Sequence, residues 1–122
     1  MTLNSEYIPF IVIPLIMMCF DVLSGVIKAI KQKELSSTKA REGLYHKMGF
    51  VILLLFSLFL TYSQSYINLG IDIPILQATA IYICCTELIS TLENLRQISP
   101  ELCTFLDKFI QDKKEDVENE EK

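Results

Sequence analysis

The chain has 122 residues, 51% of them apolar, and a mean hydropathy of +0.36. Ordinary soluble domains carry about 45–50% apolar residues, and here the excess is gathered into uncharged runs at 7–20 and 48–62, which a small water-soluble globule cannot bury on every side. The formal net charge of −4 says little about partners, because the charges are segregated: six of the eleven Lys and Arg lie between Asp21 and Lys47, and five acidic residues fall in the last eight.

The first apolar run predicts a membrane span over about 8–30, enough for the roughly 20 residues a helix needs to cross hydrocarbon. Pro9 falls in its first turn, where the missing N–H costs little, whereas Pro14 is expected to bend or restart the helix. Asp21 interrupts the apolar pattern and shares a helical face with Gly25 and Lys28. It either marks the cytoplasmic end of the span or faces other helices, as ionisable groups at membrane depth generally must. Gly25 and Ala29 form a small-xxx-small pair that permits close helix approach.

Between the first and second spans, Lys28, Lys31, Lys33, Lys39, Arg41 and Lys47 make a short basic connection, with Ser36, Ser37 and Thr38 as candidate caps of a helix leading into the second span. Basic charge of this kind holds a loop on the cytoplasmic side and attracts anionic headgroups. A nucleic-acid role is not expected. His46 has no partner at metal-ligand spacing and reads as an interfacial polar residue.

The second span, about 48–67, is the most apolar and shows no polar stripe. Ser57 and Thr61 stand one turn apart and can bond their own backbone carbonyls. Tyr62 and Tyr66 fall where an outer aromatic belt would lie. The turn INLGIDIP contains Asn68, Gly70, Asp72 and Pro74 and no Lys or Arg, as an exterior loop should.

The third span, about 73–92, carries a seam of small and polar residues at steps of three or four: Gln77, Ala80, Cys84, Glu87, Thr91 and Asn94. Glu87 either needs a partner inside the membrane or lies where the span enters the cytoplasmic interface. After Arg96, Ser99 and Pro100 read as the N-cap and first residue of a helix over 99–114, cytoplasmic and amphipathic, with Leu102, Phe105, Leu106, Phe109 and Ile110 as its apolar stripe. The acidic tail, 115–122, is expected to be disordered. The four cysteines (Cys19, Cys84, Cys85, Cys103) have no CxxC spacing and read as small apolar residues. The opening MTLNSE carries no basic residue, so no cleaved signal peptide is expected.

The fold class is therefore an all-α integral membrane protein with three transmembrane helices (1–98) and a C-terminal amphipathic helix. No nucleophile with a paired His, metal cluster or phosphate loop is present, so neither an enzyme nor a cofactor is expected. Three helices enclose no wide opening within one chain, so a pore would need several copies. Asp21, Gly25, Gln77, Cys84, Glu87, Thr91 and Asn94 are the candidates for facing a pore or a helix interface.

The order of DVLSG (21–25), KAIKQKELSS (28–37), REGLYHK (41–47) and ELISTLENL (87–95) resembles the phage-lysis and toxin-secretion holin family of clostridia and their phages, over roughly residues 15 to 112. Asp21, Gly25, Ser36, Ser37, Arg41, Gly43, Lys47, Glu87, Glu93 and Asn94 occupy its motif positions, with no catalytic role. Pro14 and the acidic extension after Lys114 have no counterpart in that motif. The resemblance implies a protein of the bacterial cytoplasmic membrane that forms homo-oligomers and opens lesions releasing an endolysin or a large toxin, with a holin inhibitor as a further partner. The charge pattern places the N-terminus outside and the C-terminus in the cytoplasm. A holin inhibitor or membrane adaptor without pore activity, or a small ion or solute transporter, are the alternatives.

Overall fold

The computed structural model describes residues 4–121, without the side chains of Cys103, Phe109, Ile110, Lys113 and Lys114. Among the described residues there are four long helices and no strand: α1 Ile8–Gln32, preceded by a short 3-10 turn at Ser5–Tyr7, α2 Ser37–Gln64, α3 Ile75–Ile98 and α4 Pro100–Glu120. The first three are long and apolar enough to cross a membrane. Apolar residues face outward along all of them: Ile13, Ile16, Leu23, Ile52, Phe56, Ile81 and Ile89 are exposed, as helices surrounded by lipid require.

Pro9 sits in the first turn of α1, and the helix runs on through Pro14 without ending. Pro14 does not restart the helix; it is almost fully buried against the other helices, whose packing holds the chain helical where one backbone bond is missing. Lys33 ends α1 in the left-handed region at φ 55°, and the N–H of Glu34 returns to the Ala29 carbonyl at 3.0 Å, closing the last turn in the manner usually given to Gly.

Ser36 then caps α2 by accepting the Lys39 N–H at 3.4 Å. The stretch carrying Lys39, Arg41 and Lys47 is not a separate short helix but the opening turns of α2 itself, while Lys28 and Lys31 stand on the end of α1. At about 1.5 Å per residue the 28 residues of α2 reach about 42 Å, longer than a hydrocarbon layer of about 30 Å. Residues 37–46 at its start are exposed. Asn68 Oδ1 accepts the Gly70 N–H at 2.9 Å in the turn before α3, where Gly70 takes φ 68°.

α3 continues to Ile98, beyond the expected end near residue 92, and α4 follows after Ser99 with Pro100 in its first turn. The Ser99 backbone adopts the cap conformation, but its hydroxyl makes no capping bond. α4 extends to Glu120, across the stretch expected to be disordered, because KKEDVENE contains good helix formers and neither Gly nor Pro. On α4, Leu102 and Phe105 are exposed and Leu106 is half-buried, while Phe109 and Ile110 of the expected stripe lie outside the described side chains.

α1 and α3 run parallel and pack along one another, and α2 runs antiparallel against α3. The core is small: Met18 from α1, Phe50 and Leu54 from α2, and Leu76 and Ile83 from α3. Phe50 joins this core to an aromatic group, with the His46 ring tilted against it at 4.4 Å and Tyr82 edge-on at 6.0 Å.

Candidate functional site

The most polar part of the bundle interior lies just beyond this apolar core. The up-down-up course brings the middle of α1, the third turn of α2 and the middle of α3 to one level. Lys47 Nζ stands 2.6 Å from Asp21 Oδ2 and 2.8 Å from Glu87 Oε2, so one ammonium joins carboxylates from both other spans. Glu87 is only 1% exposed, and the Lys47 and Asp21 side chains are 15% and 14% exposed. Asn94 Nδ2 donates to the other Asp21 carboxylate oxygen, Oδ1, at 3.1 Å and to Ser24 Oγ at 3.1 Å. The Ser24 hydroxyl in turn donates to the Asp21 backbone carbonyl at 3.1 Å.

Gly25 makes this network sterically accessible. A Cβ added there would stand 3.6 Å from Asn94 Nδ2, in ordinary contact, so the α3 amide lies close to the α1 backbone with room for a methyl group but for nothing much larger. At about 1.5 Å per residue, Asp21 lies about 20 Å along α1 from Ile8 and Glu87 about 18 Å along α3 from Ile75. Both therefore stand just past the midpoints of their helices, on the side of the end that carries the basic connection.

A second polar tie lies toward the opposite end. Ser57 Oγ donates to the Leu53 carbonyl at 2.8 Å, so its contact with Thr79 Oγ1 at 2.7 Å has Thr79 donating. Thr61 Oγ1 donates to the Ser57 carbonyl at 2.9 Å. At the basic end, Lys31 Nζ donates to the Ile98 carbonyl and Gln32 Nε2 to Gln97 Oε1 at 2.9 Å, which tie the ends of α1 and α3 together. Arg96 pairs with Asp107 at 3.1 Å across the α3–α4 corner.

The candidates from the sequence divide clearly. Asp21, Gly25, Glu87 and Asn94 meet in the network. Gln77, Cys84 and Thr91 lie half-buried on its flank, because the buried face of α3 is centred one position over, on Leu76, Ala80, Ile83, Glu87 and Asn94. Thr91 Oγ1 is buried with no hydrogen-bond partner among the described residues. Lys39, Arg41 and Lys33 are exposed, Lys28 is half-buried, and Lys47 stands at the centre of the ionic network. Sequence reasoning named Lys47 for orientation and as a motif position, but not as the partner of Asp21 and Glu87, and it missed Ser24. The available signal was the level at which Lys47 enters: it is the last basic residue before an uncharged second span, so an antiparallel helix places it beside the far ends of the other two. Cys19, Cys84 and Cys85 are free thiols.

A buried ion cluster shared by all three helices ties them to one another. A model of the bacteriophage holin family matches residues 2–115. The chain belongs to the bacteriophage holin family. No curated protein and no solved structure matches it. In this holin-family chain the matched region takes in all three spans, the basic connection and most of α4. Holins are membrane proteins rather than enzymes, consistent with three apolar helices built around a polar interior.

Proposed function

We propose that the chain acts as a holin: it accumulates in the bacterial cytoplasmic membrane with its N-terminus outside and its C-terminus inside, self-associates, and opens lesions that release an endolysin or a large toxin. The observation that carries this reading is the family match over nearly the whole chain. The ionic network supplies a physical route. In a single folded chain Asp21 and Glu87 share the Lys47 ammonium inside the bundle, so neither carboxylate faces lipid. When copies associate, the same groups can exchange this internal partner for water or for a neighbouring copy, giving a second state from the same polar face. α4 then lies on the inner surface, through its apolar stripe, or packs against its copies.

The test is co-expression with a cytoplasmic cell-wall hydrolase that lacks a signal sequence. Abrupt lysis after a delay is expected only when both proteins are present. A hydrolase that stays cytoplasmic while the protein is abundant in the membrane overturns the lesion reading and leaves an inhibitor, adaptor or transporter.

A further inference from the structure

Although Lys47 bridges Asp21 and Glu87, α1 and α2 pack mainly through α3 rather than against each other. The gap left between them at the basic end is a cleft of about 540 Å³. Its walls are Val22, Val26 and Ala29 of α1 and Leu44 of α2, and its inner end is the Asp21–Lys47 pair. Its mouth carries Lys28 and Lys39 together with the Ser36 cap of α2.

Three features of this mouth suit an anion. Lys28 is half-buried and makes no hydrogen bond or ion pair among the described residues. Lys39 has only the outer carboxylate of Glu34, at 4.0 Å and with both side chains largely exposed, a contact of little strength. The N-terminus of the 28-residue α2 opens onto the same space, with the positive end of its dipole and the unclaimed N–H groups of its first turn. Cationic clefts between spans at the cytoplasmic level are suited to acidic lipid headgroups. The apolar walls continue from this charged mouth into the part of the bundle that lies in hydrocarbon, so the ligand that fits has a charged head and apolar chains.

We propose that this cleft binds one anionic phospholipid, its phosphate between Lys28 and the start of α2 and the upper part of its acyl chains along Val22, Val26 and Leu44. The site does not depend on lesion formation and holds whether or not the holin reading does. It gives the protein a direct sensitivity to the acidic lipid content of its membrane, at the interface between the two helices that are least packed together.

The full-length protein is reconstituted in phosphatidylcholine vesicles, and association of spin-labelled phosphatidylglycerol is compared with that of spin-labelled phosphatidylcholine. The wild-type protein is expected to prefer phosphatidylglycerol, and Lys28→Gln to lower that preference about fivefold, the effect of about one lysine near an acidic headgroup. Lys33→Gln removes an equal charge at the same level but outside the cleft, and is expected to leave the preference within about twofold. Gly43→Leu changes no charge but fills the cleft, since a Cβ there meets nothing within 4 Å; it is expected to abolish the preference. Gly49→Leu, in equally open space away from the cleft, is expected to leave it intact. Equal losses for Lys28→Gln and Lys33→Gln, or no loss for Gly43→Leu, reduce the effect to general surface charge and overturn the site. Displacement of the labelled lipid by inorganic phosphate alone assigns the mouth to a soluble anion and also overturns it. A dependence of the Gly43→Leu loss on protein concentration shows that a second copy occupies the cleft instead.

Discussion

At the scale of single residues, Lys47 is the side chain whose role depends most on the fold. Asp21 and Glu87 were recognisable in the sequence as carboxylates inside apolar runs, and so was their need for a partner. The partner itself was not legible, because it lies 26 residues from one and 40 from the other and joins them only when the second helix turns back between them. Removing one member of a buried ion network leaves the others unneutralised, which costs on the order of 3–5 kcal/mol, whereas replacing the whole set by neutral groups is often close to neutral. Lys47→Met is therefore expected to destabilise the folded protein in detergent by about 3–5 kcal/mol, read from its unfolding curve. The triple variant Asp21→Asn, Lys47→Met, Glu87→Gln is expected to recover most of that loss and still to act off the wild-type schedule in the co-expression assay. A triple variant no more stable than Lys47→Met shows that the network adds nothing beyond packing. A wild-type schedule shows that its charges have no part in opening.

At the scale of elements, the three spans were legible because hydrocarbon thickness and apolar run length leave little choice, and the Ser36 cap and the Gly70 turn follow from local chemistry. Helix ends were less legible. The pattern ended the third span near residue 92, where its hydropathy falls, but the helix runs on until the backbone turns extended at Ser99, the residue before Pro100. The seam on α3 was read as a single line, yet two nearly parallel rows satisfy steps of three and four, and only the packing of α1 and α2 chooses the row through Ile83. Gly25 tests the α1–α3 contact directly. Gly25→Ala adds a methyl group at ordinary van der Waals distance from Asn94 and is expected to change stability by less than about 1 kcal/mol. Gly25→Leu must force the two helices apart, costing about 1–3 kcal/mol and breaking the Asn94 bonds to Asp21 and Ser24. Thermal unfolding of the two variants separates these outcomes; equal midpoints would show that close approach at Gly25 is unimportant.

At the scale of the whole molecule, the parallel course of α1 and α3 puts the basic connection and the α3–α4 corner at one end, so from Lys28 to Lys108 every Lys and Arg except Lys47, which reaches into the bundle, lies at or beyond that end. Short basic segments are retained in the cytoplasm, and the N-terminus and the turn at 65–74, which contain neither residue, are left to cross. The expected topology is N-terminus outside, C-terminus inside. It is checked by placing single cysteines at Asn4, Lys39, Asn68 and Asn119 in a chain whose four native cysteines are replaced, then treating intact cells with an impermeant thiol reagent. Positions 4 and 68 are expected to react and positions 39 and 119 to react only after the membrane is opened. Reaction at 39 in intact cells would place the basic connection outside and overturn the orientation. Reaction at both 39 and 68 would break the three-span course itself, since one helix then fails to separate them. The assay must precede lysis, and the time at which position 39 first becomes reactive in a culture carrying the hydrolase measures when the barrier fails. A membrane that still protects position 39 after the hydrolase has escaped would separate cargo release from this protein.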